Sequence, residues 1–528
     1  MTGVLRAVPV AALPAVVLTL AGASVAQAQA GRASAGARLA AEADCPAEFA
    51  AVLDTVLAVM SAQQLPSVAL AAAIHGEVVC ETAAGWADRD GEVPATEHTL
   101  YSLASISKPF TGTAVMQLVE RGLVELDAPA NSYLGLAGLR AFEGDADAAT
   151  VRRLLTHTAG LPLHYQFFYA GGPPVPTMAE TIARYGVLVY PPGERYAYAN
   201  LGYGVLDHIV SRVSEGTYAD WMRRQVFEPL GMEDTAVSDG SDLAGLAAVR
   251  YANDGSALPP YTFDHVGASG VWSSAYDLVR FGMFQLGQRS PAYSHVLADS
   301  LRERMQLSAV VTAPGQARGL GWAITEDDNG YRRVSHTGSM PGVATVLNLY
   351  PEAGLAVVVL TNRSHPPSVA RVAHTIASVL LPDFAATAAA RQAVTAPPAR
   401  AAAAQAPAAD VPADLHGAWR GAVLLHEDRV PLVLVVDAAG GVRARLDAGA
   451  EMPLENVRFA DGWLTGRLQQ TLAPGEATPA EERDRHEVVL NLVLRDGERL
   501  AGWASAITVG DPLYGAVSYR MELRRVLP

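Results

Sequence analysis

The chain has 528 residues, half of them apolar and 18% charged, and its formal net charge is −15. This length exceeds one ordinary domain core and the apolar content excludes wholesale disorder, so two or three folded units with tails are expected. The negative charge, without a basic cluster interleaved with aromatic residues, makes nucleic acid an unfavourable partner.

The first 30 residues predict an export signal. Arg6 lies in a short basic start, residues 8–20 form an apolar stretch, and small residues end at Ala28 and Ala30, where cleavage is expected. The apolar stretch is short for a membrane span, so a retained anchor is the weaker alternative and no span is expected after cleavage. The predicted location is therefore periplasmic or secreted.

Residues 31–44, rich in alanine, glycine and arginine, are expected to be disordered. The two cysteines that follow, Cys45 and Cys80, fall in a compartment where a disulfide persists. A bridge and two separate buried thiols both remain open, because a bridge requires a Cα distance that sequence does not supply. Two cysteines exclude a thiolate zinc site, and neither a metal nor a cofactor is expected.

Next along the chain, the sequence predicts a helix followed by strands. Apolar residues at a 3.6-residue period over 49–60 predict an amphipathic helix that Pro66 ends. Strand-like runs that flank turn residues predict two hairpins, formed by residues 67–74 with 78–84 and 343–350 with 355–361. The long stretch between them favours helix and loop. The predicted fold is therefore α/β (α+β), with an antiparallel sheet from both ends of this region and helices from its middle.

Lys108 is the only lysine in the chain, since every other basic side chain counted as Lys or Arg is arginine. An arginine keeps its proton, whereas a buried lysine amine can lose it and act as a base. Ser105 lies three residues earlier, and a helix that starts near this serine, supported by the run from Phe110 to Gly122, would place both side chains on one face. The pair therefore predicts a serine nucleophile with a lysine base, although such spacing also arises by chance in roughly one case in twenty.

A second motif follows a Pro-Gly turn, where Tyr198 and Asn200 are separated by one residue. A phenol beside an ammonium ionises more easily and can relay a proton, and an asparagine amide can orient both the lysine and a substrate carbonyl. The alternative is that these residues pack the edge of a core, as tyrosines after such turns usually do.

A third motif, His336, Thr337, Gly338 and Ser339, stands just before the late hairpin. A glycine would let a substrate backbone approach the strand edge, and the N–H of Ser339 could donate to an oxyanion together with that of Ser105. The alternative is a turn that leads into a strand.

The last part of the chain changes character. Residues 385–411 are dominated by alanine with scattered prolines and are predicted to form a linker. Residues 412–528 contain short β-type runs, among them 430–436, 488–494 and 517–523, separated by turn dipeptides such as Gly440-Gly441. This pattern predicts a small antiparallel β-barrel, and the barrel carries no catalytic motif.

Taken together, Ser105-x-x-Lys108, Tyr198-x-Asn200 and His336-Thr337-Gly338 resemble, in order and rough spacing, the serine β-lactamase and penicillin-binding-protein superfamily. The class C-related branch, with D,D-carboxypeptidases, D-aminopeptidases and esterases, is the most similar. Segments 154–162 and 267–274 are similar to family segments as well. The resemblance implies a β-lactamase/transpeptidase-like hydrolase domain over residues 45–384. The barrel at 412–528, which we expect to be lipocalin-like, is predicted from the spacing of its turns alone.

The resemblance also implies roles for the motif residues. Ser105 would be acylated, and Lys108 and Tyr198 would share the proton transfers. Asn200 would assist them, and the amides of Ser105 and Ser339 would form the oxyanion hole. Substrate binding would fall to Asn200 and to the third motif, which comprises His336, Thr337, Gly338 and Ser339.

One departure from the family pattern affects the expected substrate. Class C β-lactamases usually carry a lysine where this chain has His336, and a histidine resembles the peptidase and esterase members instead. A peptidase or carboxylesterase acting on a small peptide, amide or ester, including one derived from peptidoglycan, therefore ranks above a β-lactamase. The alternative of another class is a non-catalytic protein that binds cell-wall peptides or penicillin. His157 is expected to be a structural residue of a packed loop.

Overall fold

The computed structural model describes residues 45–142, 144–169, 174–243, 245–288, 295–388, 411–425, 428–460, 462–472, 486–508 and 516–526. The predicted signal at 1–30, the segment 31–44 and most of the predicted linker, 389–410, lie outside the described residues. No helix in the described ranges is long and apolar enough to span a bilayer.

The first part of the chain combines helices with one large sheet and several small ones. The helices are α1 (Ala50–Gln63), α2 (Ser107–Glu120), α3 (Val151–Leu155), α4 (Met178–Tyr185), α5 (Asn200–Val213), α6 (Tyr218–Met222), α7 (Val266–Ser269), α8 (Ala275–Gln285), α9 (Asp299–Met305) and α10 (Pro366–Leu380). The strands are β1 (Ser67–Ile74), β2 (Glu77–Asp88), β3 (Val93–Pro94), β4 (Tyr101–Ser102), β5 (Arg140–Ala141), β6 (Phe167–Tyr169), β7 (Val187–Leu188), β8 (Thr235–Val237), β9 (Tyr261–Phe263), β10 (Val271–Ser273), β11 (Val310–Ala313), β12 (Gln316–Arg318), β13 (Ala323–Asp328), β14 (Tyr331–Met340), β15 (Val343–Tyr350) and β16 (Leu355–Thr361).

The large sheet has nine strands in the order β11-β12-β13-β14-β15-β16-β1-β2-β3. Both predicted hairpins are present, and the early and late strands meet where β1 pairs antiparallel with β16, with Val68 opposite Thr361. Successive residues of β1 belong to different apolar clusters, Ala69 to the one beneath α2 and α8 and Leu70 to the one beneath α1 and α10. The sheet is therefore buried on both faces, and the predicted sheet flanked by helices is confirmed.

A disulfide joins the N-terminal end of this region to the sheet. Cys45 lies just before α1 and is bonded to Cys80 on β2, with a Cα–Cα distance of 4.7 Å. This resolves the alternative that the sequence left open. Helix α1 ends at Gln63, and Gln64 adopts a left-handed φ of 50° before the predicted stop at Pro66.

The last part of the chain forms a nearly closed antiparallel barrel. Its strands are β17 (Gly417–Leu424), β18 (Arg429–Val436), β19 (Val442–Leu446), β20 (Met452–Pro453), β21 (Glu455–Ala460), β22 (Trp463–Leu468), β23 (His486–Arg495), β24 (Arg499–Thr508) and β25 (Ala516–Arg525). They pair in the order β20-β19-β18-β17-β25-β24-β23-β22-β21. The three predicted β-runs fall inside β18, β23 and β25. Gln470 helps to close the barrel, since its side-chain oxygen accepts from the Leu446 amide at 2.9 Å.

The outer face of the barrel packs against the first part of the chain. Tyr165 and Ala516 exchange two backbone hydrogen bonds of 2.6 and 2.8 Å, which adds a short β-bridge between the two parts. The hydroxyl of Ser518 donates to the Leu163 carbonyl at 2.9 Å. Residues 163–165 therefore connect the first part of the chain to the barrel.

Candidate active site

Ser105 lies in a 3-10 turn, Ala104–Ile106, that leads directly into α2. Ala104 adopts a left-handed φ of 47°, which is uncommon for a residue with a side chain and is found where surrounding structure enforces it. Ser107 locks the turn, because its hydroxyl donates to the Ala104 carbonyl at 2.7 Å and accepts from the Val271 amide at 3.0 Å. Ser105 is thus held rigidly at the start of a helix, where the dipole favours a developing negative charge.

Lys108 is completely buried, and three oxygen atoms surround its Nζ. They are Oδ1 of Asn200 at 2.8 Å, the carbonyl oxygen of Ala268 at 3.0 Å and Oγ of Ser105 at 3.1 Å. Burial lowers the pKa of Lys108 well below its ordinary value, and no acidic side chain of the described residues forms an ion pair with it. A neutral amine has two N–H groups and one lone pair. The two acceptors that cannot donate engage the N–H groups, which leaves the lone pair for the Ser105 hydroxyl.

Tyr198 approaches the same hydroxyl from a distant loop. Its phenol donates to Oγ of Ser105 at 2.9 Å, and its ring centroid lies 4.8 Å from Nζ of Lys108. Burial raises the pKa of Tyr198 well above its ordinary value. Burial thus acts against the expectation that a neighbouring ammonium would ease this ionisation, because it disfavours both the ammonium of Lys108 and the phenolate of Tyr198. Tyr198 enters the site as a proton donor.

Asn200 lies behind Lys108 and is fully buried at the first residue of α5. Its Oδ1 accepts from Lys108, and its Nδ2 donates to the carbonyl oxygen of His164 at 2.8 Å. The structure thus supports the expectation that Asn200 orients the lysine. A direct contact with substrate, the other part of that expectation, requires a side chain that reaches the cleft, and that of Asn200 does not.

The segment that holds Asn200 belongs to a second buried polar cluster, centred on Asp264. Its carboxylate lies 2.7 Å from Nδ1 of His265 and 3.1 Å from Nε2 of His164, and it accepts from the hydroxyl of Thr181 at 2.8 Å. Burial alone would raise the pKa of Asp264, but the two imidazoles lower it strongly, so the carboxylate is ionised. This cluster was not predicted from the sequence.

His157 acts as the predicted structural residue of a packed loop. Its Nδ1 accepts from the Ala199 amide at 3.2 Å, its carbonyl accepts from the Ala197 amide at 2.8 Å, and its ring lies 4.4 Å from that of Tyr198. Burial lowers the pKa of His157 well below its ordinary value, so the imidazole is neutral. His157 therefore fixes the segment from which Tyr198 reaches Ser105.

The third motif lies on β14, whose residues alternate between the interior and the surface. His336 and Gly338 are buried, whereas Thr337 and Ser339 are exposed. Burial lowers the pKa of His336 to about 3, and its Nδ1 donates to the Thr337 carbonyl at 2.8 Å. His336 is thus neutral, whereas the lysine that class C β-lactamases usually carry at this position is positively charged.

A glycine is required at position 338 for a different physical reason from the one expected. A Cβ at this position would lie 2.1 Å from the carbonyl oxygen of Leu103 and 2.2 Å from Oγ1 of Thr345. The glycine is needed because β14 packs directly on the backbone that carries Ser105. Gly338 allows the strand to lie against the segment that carries the nucleophile, whereas its expected role was to let a substrate backbone approach.

The edge of β14 beside Ser105 has room for a substrate backbone. β13 pairs with β14 only as far as Ser335, opposite Ala323, so within the described residues the strand from 336 to 340 has a neighbour on one side, β15. The amide of Ser339 lies in this stretch. An oxyanion hole formed with the amide of Ser105 remains a prediction.

Three further groups at the site were missed. The carbonyl oxygen of Ala268, at the end of α7, holds Lys108, and a backbone oxygen leaves no signature in a sequence. The phenol of Tyr165 reaches the Ser339 carbonyl at 3.5 Å. The guanidinium of Arg318 lies 5.3 Å from the ring centroid of Tyr196 and adds a positive charge near His336. Arg318 begins an Arg-Gly-Leu-Gly run, which by itself is not an established motif, so the sequence alone did not indicate it.

A serine at a helix start, a neutral lysine one turn away and a phenol on the same hydroxyl define the class of active-site serine hydrolases in which lysine stands in place of histidine. The chain belongs to the beta-lactamase family, whose sequence profile matches residues 49–381. The predicted membership of the β-lactamase and penicillin-binding-protein superfamily is therefore confirmed.

Individual relatives are consistent with this assignment. The chain is 28% identical over 328 residues to the human protein Putative beta-lactamase-like 1, which covers 58% of this chain and 63% of that protein. It is 26% identical over 316 residues to Penicillin-binding protein 4* of Bacillus subtilis strain 168, which covers 55% of this chain and 67% of that protein. The chain thus spans about two thirds or less of the length of these relatives.

Among solved structures, the octameric penicillin-binding protein homologue from Pyrococcus abyssi is similar with a TM-score of 0.56 and 22% identity. The match covers 89% of this chain and 99% of that chain, so it extends over the barrel as well as the hydrolase region. At this identity the likeness concerns the fold alone. It confirms the β-lactamase/transpeptidase-like fold with an appended barrel.

Proposed function

We propose that this protein is an exported serine hydrolase that forms an acyl-enzyme on Ser105 and cleaves a peptide, amide or ester bond. In the first step, the lone pair of Lys108 takes the hydroxyl proton while Oγ of Ser105 attacks the carbonyl carbon. The amides of Ser105 and Ser339 stabilise the oxyanion. Tyr198 donates a proton to the leaving nitrogen or oxygen, and water then releases the acyl group by the reverse proton movements.

The observation that carries this proposal is the arrangement around Lys108. An ammonium could not accept the proton of Ser105, so the mechanism requires a neutral amine at the pH of activity. The described residues supply two carbonyl acceptors, a hydroxyl and no counter-charge, which is the environment that keeps an amine neutral. A buried lysine with no partner of opposite charge is costly, and such groups are found mainly where function requires them.

The substrate that we propose is a D-amino-acid peptide or a carboxylic ester, ahead of a β-lactam. The reason is His336, which is neutral and hydrogen-bonded to its own strand, so it supplies no fixed positive charge to the carboxylate of a β-lactam. The exposed edge of β14 suits an extended peptide, because a strand edge offers backbone hydrogen bonds without regard to side chains.

A fluorophosphonate probe tests whether the serine is activated. We expect the native protein to be labelled, and the Ser105→Ala variant to show no labelling. Ser308→Ala, at an exposed serine distant in sequence, is the matched control and should be labelled like the native protein. Absence of labelling in the native protein would favour a binding protein on the same scaffold and would contradict the proposal.

A panel of three substrates tests the substrate class. A chromogenic cephalosporin, a p-nitrophenyl ester and a D-alanyl-D-alanine peptide would be compared by kcat/KM under one set of conditions. We expect the ester or the peptide to exceed the cephalosporin by about 100-fold or more, which corresponds to roughly 3 kcal/mol of transition-state binding. Preference for the cephalosporin would restore the β-lactamase alternative.

The proposed export has a test of its own. Expression of the full chain in a bacterial host, followed by N-terminal sequencing of the periplasmic or secreted protein, should show a mature chain that begins just after Ala28 or Ala30. The disulfide between Cys45 and Cys80 supports an oxidising compartment. An uncleaved chain retained in the cytoplasm would contradict this part of the proposal.

A further inference from the structure

A pocket lies where the barrel meets the hydrolase region, and we call it the seam pocket. Its volume is about 200 Å³, and its walls include Arg195 and Tyr196 from the hydrolase region and Arg458, Trp463, Asn491 and Trp503 from the barrel. This volume is below the roughly 300–1,000 Å³ of pockets for whole drug-sized ligands, so the pocket suits one group of a larger molecule.

The walls combine flat apolar surface with positive charge. The rings of Trp463 and Trp503 lie 5.2 Å apart, and the guanidinium of Arg195 lies 5.1 Å from the ring centroid of Trp463. Arg458 is exposed on β21 and adds a second guanidinium. No lining residue is acidic, although the chain as a whole carries a net charge of −15. Positive charge concentrated against the overall sign indicates an anionic ligand.

The chemistry of the walls narrows the ligand further. A guanidinium pairs with a carboxylate through two parallel hydrogen bonds, and it does so best where apolar walls restrict access of water. Indole rings bind planar or apolar groups by stacking. The amide of Asn491 adds polar contacts between the two. The pocket therefore suits a carboxylate attached to an apolar or planar group.

The seam pocket adjoins the candidate active site at Tyr196. One side of this residue lines the pocket, while its ring lies 5.9 Å from the ring of His157 and 5.3 Å from the guanidinium of Arg318. Tyr198 follows two residues later, a span of at most about 7 Å, and touches Oγ of Ser105. The pocket therefore lies next to the segment that brings Tyr198 to Ser105.

We propose that the seam pocket is a substrate subsite that recognises a carboxylate-bearing apolar or planar group at a distance from the bond that is cleaved. The barrel thus contributes directly to specificity, because four of the six wall residues named above belong to it. The claim that the bound ligand is a substrate rests on the proposed function, but the binding of a carboxylate can be measured without turnover.

The binding test uses the full-length Ser105→Ala variant with 3-phenylpropionate and its neutral analogue 3-phenylpropionamide, and dissociation constants are measured by ligand-observed NMR. We expect the carboxylate to bind about tenfold more tightly than the amide, as a guanidinium–carboxylate pair would give. Adding Arg458→Ala should remove this preference. Arg420→Ala, at an exposed arginine of β17 outside the pocket, is the matched control and should keep it.

Two results of the binding test would overturn the proposal. One is equal affinity for the two probes, or binding of neither. The other is a carboxylate preference that survives the removal of both guanidinium groups, by Arg195→Ala combined with Arg458→Ala, which would place the carboxylate at another site. Because the nucleophile is absent from this variant, the test does not depend on catalysis.

A kinetic test then links the pocket to turnover. The p-nitrophenyl ester of 3-(4-carboxyphenyl)propionic acid and its carboxamide analogue would be compared with the native chain and with Arg458→Ala. We expect a KM about tenfold lower for the carboxylate ester with the native chain, and nearly equal KM values with the variant. Hydrolysis of both esters with equal KM by the native chain would overturn the subsite, whereas hydrolysis of neither would overturn the proposed function and leave the binding result standing.

Discussion

Two buried polar clusters lie side by side in this protein, and they handle charge in opposite ways. Around Asp264, two imidazoles and a hydroxyl surround a carboxylate, so a charge is kept and compensated. Around Lys108, the partners are carbonyl and hydroxyl oxygens, so no charge is offered and the amine gives up its own. Asn200 connects the two, since it accepts from Lys108 and donates to the carbonyl of His164.

The two clusters therefore have different roles: the one around Asp264 positions other residues, and the one around Lys108 carries the proposed chemistry. A compensated charge such as Asp264 fixes its neighbours, because breaking its hydrogen bonds would leave an uncompensated charge in the interior. An uncompensated amine such as Lys108 is costly to bury as a cation and is therefore a base. We call the cluster around Asp264 the paired cluster and the one around Lys108 the unpaired cluster. The paired cluster holds the segment that positions Asn200, and Asn200 in turn positions Lys108.

The largest effect is expected from removing the base. Lys108→Arg introduces a permanent cation that cannot accept a proton, so kcat/KM should fall by about 10³-fold or more, and the uncharged Lys108→Met should lose as much because it also lacks a base. Ester hydrolysis measures the loss, and circular dichroism verifies the fold. An Arg variant that keeps a tenth of the activity would show that Lys108 serves as a charge and that the two clusters are alike.

The next effect is expected from removing the charge of the paired cluster. Asp264→Asn removes the ionised carboxylate to which His164, His265 and Thr181 are hydrogen-bonded, which should cost about 3–5 kcal/mol in the free energy of unfolding. Urea denaturation measures it. Asp496→Asn, at a turn where the carboxylate is 83% exposed, is the matched control and should change stability by less than about 0.5 kcal/mol.

The ionised Asp264 also predicts that the stability of the protein depends on pH. Because the folded pKa of Asp264 lies below its unfolded value, its stabilisation is present above about pH 4 and is lost as the pH falls further. The native protein should therefore lose stability below pH 4 more steeply than Asp264→Asn. Parallel curves for the two proteins would contradict an ionised Asp264.

A third prediction converts the unpaired cluster into a paired one. Asn200→Asp places a carboxylate 2.8 Å from Nζ of Lys108, which should raise the lysine pKa and keep the amine protonated. At neutral pH kcat/KM should fall by about 100-fold, and the acid limb of the pH profile should move to higher pH. Asn456→Asp, on the exposed part of β21, should change neither. Unchanged activity in Asn200→Asp would mean that Lys108 is not the base.

The smallest effect is expected from trimming the paired cluster. Thr181→Val removes the hydroxyl that donates to Asp264 at 2.8 Å while preserving shape, so it should destabilise the protein by about 1.5–3 kcal/mol. Activity should change by less than about twofold, because Lys108 keeps its partners. Thr375→Val, on the exposed side of α10, is the control for stability. A large loss of activity without destabilisation would show that the two clusters act as one.

Local patterns predicted the parts of the site that adjacent residues build. The contact of Ser105 with Lys108 follows from helix geometry, and the strands of both hairpins follow from apolar runs that flank turn residues. The Asp264 cluster did not emerge, because His164 and Asp264 are 100 positions apart and no spacing rule connects them. The carbonyl of Ala268 is invisible for a different reason, since every residue has one.

Sequence reasoning also failed where tertiary packing reverses a local argument. Tyr198 was expected to ionise readily beside an ammonium, but burial removes the charge from Lys108 and favours the phenol. Gly338 was expected to admit a substrate, but it is required by the contact of β14 with Leu103. The barrel was predicted from its turns, whereas its contribution of Trp463 to the seam pocket depends on docking that only the fold reveals.

The ionisation state of Lys108 is the most direct test of this account. Because it is the only lysine in the chain, protein labelled with [ε-¹³C]lysine gives one side-chain signal, which can be followed by NMR through a pH titration of the full chain. We expect a midpoint well below the ordinary value of 10.5, with the neutral amine as the major form at the pH of activity. A signal that stays at the ammonium position up to pH 10 would contradict the central claim that Lys108 is a neutral base.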